Sequence, residues 1–447
     1  MKQLAVKRMF LALMAVVLVS TLMIQPSTAE AALDLEAESA ILVEADSGKI
    51  LYQKNIDAIL PTASMTKMMS EYLILEAIDE GRIQWDQQVP ISDFVRSLSL
   101  QISLSNVPLR QDETYTVRQL YESVAIYSAN ASTIALAELI AGSETAFVQM
   151  MNDKAAELGL EDYKFVNSTG LNNRDLSGNH PEGTDPNEEN MMSARATAKL
   201  AYSLLRDYPE VLETASIPMK EFVAGPGSDE TITMENWNWM LPDIRPQFDY
   251  EGIDGLKTGY TQDAGNAFTG TAKRDDLRLI SVVMRTDSRE ARFNETRKLL
   301  DYGFNNFEHA EILPAGHQSE GEDTLVVSAG KEREVSISTA ESLSTVVKKG
   351  EEELYEPTLT LDESKLDEDG ALEAPFEAGH EVGKVVLTYT GEGEEEFLFA
   401  NQHDEVAVVT DAAVERAGWF SMTMRSIGGF FSGIWTSVAD TVKGWFA

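Results

Sequence analysis

Residues 61–69 of the chain read PTASMTKMM, and the mostly apolar run that continues from them predicts a buried helix that begins near Ser64. Ser64 and Lys67 stand three residues apart, so they share one face of that helix and their side chains can meet. A serine hydroxyl becomes nucleophilic when a base takes its proton, and a lysine with a depressed pKa can act as that base. The stretch therefore predicts a nucleophile paired with its base on one helical turn.

Two shorter motifs follow in chain order, SAN at residues 128–130 and KTG at residues 257–259. Taken singly, the first could be a turn between helices, and the second could be the edge of a hairpin with a surface lysine. All three motifs together, in this order and at this wide spacing, are improbable as a coincidence. The set S-x-x-K, S-x-N and K-T-G is typical of penicillin-binding proteins and class A β-lactamases.

The likeness covers roughly residues 36–309 and includes DGLKTGYT at 254–261, Arg292, and KLLDYGF at 298–304. On these residues the chain resembles the low-molecular-mass penicillin-binding proteins that are serine-type D-alanyl-D-alanine carboxypeptidases, of the penicillin-binding protein 5-like, Bacillus type. The resemblance implies an α/β fold of the penicillin-binding/β-lactamase-like transpeptidase class, in which helices flank an antiparallel sheet. Three residues depart from the common pattern: Ala129 stands where glycine is frequent, Tyr260 where some members carry histidine, and Ala196 where relatives commonly carry an acid.

The first two motifs supply the groups of a serine-peptidase mechanism. Ser64 attacks the carbonyl of a peptide bond, and Lys67 takes the hydroxyl proton while its own amine is neutral. Burial and the nearby positive charge of Lys257 both disfavour the charged form of that amine. The resemblance adds that Ser128 relays a proton to the leaving amine, and that Asn130 holds Lys67 and the substrate amide.

The third motif suits a substrate carboxylate. Lys257 offers a positive charge and Thr258 a hydroxyl donor, while Gly259 lets its strand approach the cleft without a side chain in the way. By resemblance, Arg292 lies near the same carboxylate site. The residues of this motif are therefore expected to bind the end of a peptide.

The substrate implied by the resemblance is the peptidoglycan stem pentapeptide that ends in D-Ala-D-Ala. An acyl-enzyme forms on Ser64, the terminal D-alanine leaves, and water then hydrolyses the ester. The resemblance also implies an oxyanion hole made by the main-chain N–H groups of Ser64 and Tyr260, and inhibition by β-lactams, which mimic the dipeptide. We expect no cofactor and no metal, because the sequence lacks the paired histidine or cysteine spacing of metal sites.

Two alternatives stay open. A class A β-lactamase needs a glutamate that activates the deacylating water, usually within E-x-x-L-N, and residues 131–256 contain no such string. A non-catalytic, penicillin-recognising wall-binding protein would keep the fold without turnover, which the three intact motifs disfavour. A Ser-His-Asp hydrolase is weaker than either, since none of the five histidines lies in a G-x-S-x-G context.

The 447-residue chain contains 74 acidic and 36 basic residues, for a formal net charge of −38. This charge argues against nucleic acid as a partner, because phosphate binding needs a basic patch. The length predicts two domains with additional segments, and 43% hydrophobic residues suffice for their cores. With no cysteine, the chain cannot form a disulfide.

The N-terminal residues 1–31 read as a signal peptide, with a basic start, an apolar run over residues 9–24 and a small-x-small cleavage pattern at residues 29–31. We therefore expect an exported protein at the outer face of the cytoplasmic membrane or in the cell wall. An uncleaved membrane anchor is the alternative. Residues 32–310 would then form the DD-peptidase catalytic domain.

The C-terminal third divides into two segments. Residues 311–410 hold 25 acidic and 6 basic residues, and short β-like runs alternate there with glycine- and glutamate-rich turns. This pattern predicts a small all-β domain. Residues 411–447 carry apolar side chains at steps of three and four and include Trp419, Trp435 and Trp445. They predict an amphipathic helix on the membrane surface, with a helix packed on the protein's own core as the alternative.

Local patterns also outline the catalytic domain. They predict a strand, turn and strand over residues 39–51, helices over residues 117–140, 146–158 and 288–300, a loop over residues 172–190, and paired strands at residues 267–271 and 277–284. Sheet segments at both ends of a mostly helical middle lead us to expect one sheet that joins the two ends of the domain.

Overall fold

The computed structural model describes residues 33–223, 231–319 and 321–419. The elements described below belong to one compact unit that begins at Leu35. The predicted signal peptide and the part of the predicted amphipathic helix beyond Trp419 lie outside the described residues. Among the described residues, no single helix has the length and hydrophobicity to span a membrane, and only the bent pair Asn130–Ala141 and Glu144–Glu157 meets both criteria when taken together.

The chain up to Asn306 mixes strands and helices. Its strands are β1 (Ser39–Glu44), β2 (Ile50–Lys54), β3 (Leu60–Pro61), β4 (Gln88–Val89), β5 (Tyr115–Thr116), β6 (Tyr163–Lys164), β7 (Met191–Met192), β8 (Met219–Val223), β9 (Thr231–Glu235), β10 (Ile253–Thr261), β11 (Gly265–Arg274) and β12 (Leu277–Thr286). Its helices are α1 (Lys67–Asp79), α2 (Asp93–Ser99), α3 (Val117–Tyr127), α4 (Asn130–Ala141), α5 (Glu144–Glu157), α6 (Ala194–Asp207), α7 (Val211–Ala215) and α8 (Arg289–Asn306).

The main sheet of this part of the chain has five antiparallel strands in the order β10-β11-β12-β1-β2. Ile41 of β1 lies opposite Val282 of β12, so the sheet joins the two ends of this part of the chain, as predicted. Helices α6 and α8 pack on the sheet. At Gly303, α8 approaches so closely that a Cβ atom would lie 2.5 Å from Leu279 and 2.9 Å from Leu42.

Helix α1 runs through the centre of the helical region and contacts α3, α4, α5 and α6. Nearly every residue from Lys67 to Ala77 is buried, so the helix is enclosed on all sides rather than amphipathic. This position explains the apolar run in the sequence. It also places the polar side chains of α1 inside the protein, where each needs a partner or a function.

The helical pattern over residues 117–140 was predicted correctly in type, but the structure breaks it into α3 and α4. Ser128 caps α3 in the left-handed conformation, with φ 60° and ψ 35°, and Ala129 is extended. A left-handed residue cannot continue a right-handed helix, so the SAN motif becomes a corner between two helices. Helix α3 is amphipathic, whereas α4 is buried along most of its length, and the pattern of apolar residues does not specify the corner between them.

Serine caps account for the starts of several helices. Each cap accepts a hydrogen bond from the main-chain nitrogen three residues later, which satisfies one of the unpaired N–H groups of the first turn. These caps are Ser92 before α2, Ser143 before α5, Ser193 before α6 and Ser288 before α8.

The all-β domain predicted at residues 311–410 is present, and its first strand begins at Phe307. Its strands are β13 (Phe307–Leu313), β14 (Thr324–Ser328), β15 (Glu334–Thr339), β16 (Leu343–Lys348), β17 (Tyr355–Leu361), β18 (Leu372–Glu373), β19 (Glu381–Tyr389) and β20 (Glu405–Thr410). Six of them form a sheet in the order β17-β19-β20-β15-β14-β18, and β13 pairs with β16. A separate hydrophobic core that includes Leu325, Ile337 and Val385 holds these strands together.

The predicted amphipathic helix is wrong over residues 411–417. These residues are non-helical and form β-bridges with the all-β domain, between Phe376 and Val414 and between Gly330 and Arg416.

A buried lysine joins the two parts of the chain. Lys49, in the turn between β1 and β2, is only 3% exposed. Its Nζ lies 2.6 Å from an Asp404 oxygen and 3.1 Å from a Glu395 oxygen, and it donates to Thr345 Oγ1 at 3.0 Å. The rings of Tyr355 and Phe397 face the same ammonium group. All of these partners belong to the all-β part, so the contact requires both parts of the chain.

Candidate active site

Ser64 lies in a short 3₁₀ turn, Ala63–Thr66, that leads into α1. The pairing of β3 with β7 fixes the approach to this turn, and the Thr62 nitrogen donates to the Asn190 carbonyl at 3.0 Å. Strand β10 packs against the turn from the other side. A Cβ atom on Gly259 would lie 2.7 Å from the Thr62 carbonyl oxygen, so only glycine allows this approach.

Lys67 is fully buried and its amine contacts the nucleophile. Its Nζ lies 3.2 Å from Ser64 Oγ, 2.8 Å from Asn130 Oδ1 and 2.6 Å from the Thr169 carbonyl oxygen. The two closer partners are acceptors only and take two N–H groups, so a neutral amine can turn its lone pair toward the Ser64 hydroxyl. The lysine is thus held in the orientation of a base.

Burial lowers the pKa of the Lys67 amine well below its usual value, and the charge of Lys257 lowers it further. The carboxyl groups of Glu71 and Glu144 act in the opposite direction. The desolvation effect is the largest, because a fully buried ammonium group loses its hydration. The environment therefore favours the neutral form that a general base requires.

The corner between α3 and α4 brings the SAN motif to the nucleophile. Ser128 is buried, and its Oγ has no hydrogen-bond partner among the described residues. Asn130 uses both ends of its amide: Oδ1 accepts from Lys67, and Nδ2 donates to the Ser105 carbonyl at 2.9 Å. The motif therefore supplies one fixed amide and one uncommitted hydroxyl.

The KTG motif lies on β10, with Lys257 and Thr258 both buried. Burial lowers the pKa of the Lys257 amine; the Glu71 carboxyl opposes this effect, and Arg292 adds to it. Arg292 of α8 is 2% exposed and donates from Nη1 to the Gly259 carbonyl at 3.2 Å, while its Nε has no partner among the described residues. Two buried cations thus stand on one wall of the site.

One cleft of about 360 Å³ collects these groups. Except for Lys67 and Lys257, which lie behind its surface, every site residue predicted from the sequence lines it. The lining residues are Ser64, Ile102, Ser103, Leu104, Ser105, Tyr127, Ser128, Asn130, Leu171, Trp237, Thr258, Gly259, Tyr260, Arg289 and Arg292. This lining contains two arginines and no carboxylate, although the chain carries 74 acidic residues.

Several groups at the site were missed in the sequence. Arg289 precedes Arg292 by three residues, so a shared helix face was a usable signal. The guanidinium of Arg289 lies over the rings of Trp237 and Tyr260 at the cleft. The role of the Thr169 carbonyl could not be predicted from the sequence, because every residue has a main-chain carbonyl whatever its type.

Three titratable groups outside the cleft approach one another, namely Glu44, Asp46 and His309. The two carboxylate oxygens of Glu44 already accept hydrogen bonds from the main-chain nitrogens of Asp46 and Ser47 and from Ser47 Oγ. The buried carboxylate therefore holds the turn after β1.

Comparisons with known proteins identify the families of both parts of the chain. A family model described as D-alanyl-D-alanine carboxypeptidase matches residues 25–288, and one described as the C-terminal domain of penicillin-binding protein 5 matches residues 307–416. The D-alanyl-D-alanine carboxypeptidase DacF of Bacillus subtilis is 33% identical over 396 residues, which cover 88% of this chain and 90% of that protein.

Two solved structures are also similar. The peptidoglycan synthesis regulatory factor PBP3 of Streptococcus pneumoniae has 34% identity and a TM-score of 0.70, with 85% of this chain and 99% of that chain covered. Penicillin-binding protein D2 of Listeria monocytogenes, in its ampicillin-bound form, has 31% identity and a TM-score of 0.50, with 61% of this chain and 98% of that chain covered. The predicted penicillin-binding/β-lactamase-like fold with a separate all-β domain is confirmed. The chain belongs to the D-alanyl-D-alanine carboxypeptidase family of serine hydrolases.

Proposed function

We propose that this chain is a serine D-Ala-D-Ala carboxypeptidase that removes the terminal D-alanine of the peptidoglycan stem pentapeptide through an acyl-enzyme on Ser64. The observation that carries the proposal is the charge of the cleft. In a chain with a net charge of −38, the cleft beside Ser64 is lined by two arginines and by no acid. Such a site favours a substrate with a free carboxylate next to the bond that is cleaved.

Acylation begins at the Ser64 hydroxyl. Its Oγ attacks the carbonyl carbon of the D-Ala–D-Ala bond, and its proton passes to Lys67 Nζ, 3.2 Å away. Asn130 and Thr169 hold the amine during this step, because their oxygens accept its other N–H groups. Main-chain N–H groups of Ser64 and Tyr260 would stabilise the tetrahedral oxyanion, and losing one such donor typically costs about 3 kcal/mol.

The leaving amine needs a proton, and Ser128 is suited to deliver it. Its hydroxyl is buried at the cleft and has no partner among the described residues. An unpartnered buried hydroxyl is costly, so its presence here suggests a partner that arrives with the substrate. The proton that Lys67 received would pass through Ser128 to the nitrogen of the departing D-alanine.

Three groups on the β10 side of the cleft are suited to bind the terminal carboxylate of the substrate. The Thr258 hydroxyl and the buried guanidinium of Arg292 line the strand side of the cleft, and the buried amine of Lys257 lies behind that surface on the same strand as Thr258. A carboxylate there would relieve the cost of holding two cations in a buried region. The same charges would bind the carboxylate of a β-lactam, and the related D2 protein of Listeria monocytogenes has been solved with ampicillin bound.

The decisive experiment combines product release with mapping of the acyl adduct. We expect D-alanine release from diacetyl-L-Lys-D-Ala-D-Ala, and one penicillin adduct per chain, located by peptide mass spectrometry on the peptide that contains Ser64. A chromogenic cephalosporin should be consumed once per protein molecule. Continuous cephalosporin turnover would instead favour the β-lactamase alternative, and an adduct without D-alanine release would favour the non-catalytic wall-binding alternative.

We also propose that the protein works outside the cytoplasm, exported by residues 1–31 and held at the membrane surface by the part of the predicted segment 411–447 that follows Trp419, since residues 411–417 pack on the β domain. The proposed catalytic domain covers residues 32–310 and the acidic β domain residues 311–410. Peptidoglycan as the substrate supports an extracytoplasmic site. Removing residues 420–447 should release the enzyme from sedimented membranes without lowering its turnover of the soluble tripeptide. Retention of the truncated protein in the membrane fraction would contradict this anchor.

A further inference from the structure

A buried acid lies behind the cleft, where the reaction as described does not use it. Glu71 follows Lys67 by four residues on α1, so the two side chains occupy the same face of that helix. Glu71 is 3% exposed, and its Oε1 has no hydrogen-bond partner among the described residues. A buried carboxylate oxygen without a partner is expensive, so its retention calls for a compensating charge.

The compensating charges come from two different elements. Glu71 interacts electrostatically with Lys67 on its own helix and with Lys257 on β10, which packs against α1. The third titratable group that faces it is the buried hydroxyl of Tyr121 on α3. Glu71 does not line the cleft, and no step of the proposed reaction uses it.

More distant charges act on these neighbours rather than on Glu71 itself. Glu144 acts on Lys67, Arg292 acts on Lys257, and Glu210 acts on Tyr121. The immediate group is therefore two lysines and one carboxylate. If Lys67 is the neutral base, one ammonium group and one carboxylate remain, and their charges balance inside the protein.

Burial opposes this balance and the attraction between Glu71 and the lysines supports it: the pKa of the Glu71 carboxyl is raised to about 7 and that of the Lys257 amine is lowered to about 8, so both groups are charged together between these values. Burial raises the pKa of the Glu71 carboxyl, while the two lysines lower it. Burial lowers the pKa of the Lys257 amine, and Glu71 opposes that effect. Glu71 thus favours the charged form of the amine that is suited to hold the substrate carboxylate.

We propose that Glu71 is a positioning residue of the reaction, the buried counter-charge that keeps Lys257 protonated for the substrate carboxylate while Lys67 remains neutral. The inference rests on the proposed function of the cleft. It adds Glu71 to the residues that influence the reaction. Glu71 would act through the charges of Lys67 and Lys257, from a buried position outside the cleft lining.

The test is the pH dependence of D-alanine release by Glu71→Gln. Removing a negative charge lowers the pKa of both lysines, so both limbs of the profile of kcat/KM should move to lower pH. On the alkaline limb Lys257 would lose its charge earlier, so the loss should appear mainly as a raised KM. A displacement of one pH unit corresponds to about a tenfold loss there. Glu71→Asp, which keeps the charge, should restore the alkaline limb.

Two further variants keep the test decisive. Glu71→Met removes the charge with an apolar group of similar size and should give the same acid displacement if Glu71→Gln does not fold. Glu44→Gln, at another buried carboxylate outside the cleft, should leave both limbs in place. Unmoved limbs in the Glu71→Gln and Glu71→Met enzymes would overturn this inference alone, whereas absence of D-alanine release by the unaltered enzyme would overturn the proposed function.

Discussion

Replacing Lys67 by methionine should lower acylation of Ser64 by penicillin by about ten-thousand-fold, since a positioned general base contributes up to that factor. Lys67 Nζ is the group that contacts the Ser64 hydroxyl, at 3.2 Å, and the cleft surface offers arginines rather than another base. Methionine fills a similar volume, but it leaves the oxygens of Asn130 and Thr169 without their donor. Rates of labelling by a fluorescent penicillin and of D-alanine release measure the effect.

A second buried lysine provides the matched control for this variant. Lys199 on α6 is 6% exposed and donates to the Gly159 carbonyl at 3.1 Å, outside the cleft lining. Lys199→Met should therefore cost stability in thermal unfolding and leave the rate of labelling close to that of the unaltered enzyme. Efficient labelling of a folded Lys67→Met protein would refute the assignment of the base.

The second large effect is expected at Gly170, which lies between the nucleophile and the carbonyl that holds Lys67. Its φ is +80°, and an added Cβ would overlap the Ala63 carbonyl oxygen and lie 3.0 Å from the Ser64 nitrogen. Gly170→Ala must displace either the Ser64 turn or the segment that carries Thr169. We expect a loss of activity of about a hundredfold or more from such a displacement. We also expect a destabilisation of about 3 kcal/mol from strain and overpacking.

Gly178→Ala separates the steric clash from the backbone strain. Gly178 also has a positive φ, +84°, but an added Cβ would meet nothing within 4 Å. This variant should show only the modest cost of a left-handed alanine, with labelling of Ser64 unchanged. Denaturant unfolding and penicillin labelling of both variants test the comparison, and equal effects of the two substitutions would contradict the packing argument.

The candidate site could be predicted because the motifs consist of residue types, such as serine and lysine, whose side chains carry the chemical groups that the reaction needs. Ser64 and Lys67 share a helical turn whatever the rest of the fold, so their contact follows from spacing alone. The meeting of Ser128 with them does not follow in this way. It depends on a left-handed corner at Ser128, which the helical pattern over residues 117–140 does not specify; a turn between helices at the SAN motif was only one possible interpretation of the sequence.

Glu71 illustrates a different limit of the sequence. An acid inside the apolar run of α1 is visible as an anomaly, and its distance of four residues from Lys67 was readable. The sequence does not reveal its second partner, because Lys257 lies 186 positions later and comes within electrostatic range of Glu71 only when β10 packs against α1. Charge balance in a buried site is a property of the assembled fold.

The caged ammonium of Lys49 has a consequence for how the protein could be divided. Its carboxylates, hydroxyl and aromatic faces all come from beyond residue 344, whereas the lysine belongs to the first hairpin of the peptidase. If the peptidase were cut off after Asn306, the Lys49 amine would become exposed to water. In the remaining fragment, Glu395 and Asp404 would lose their positively charged partner. Separating the two parts would therefore remove a buried ionic network from the peptidase and leave uncompensated negative charge in the all-β part. We expect the two parts to unfold in one cooperative transition rather than as independent domains.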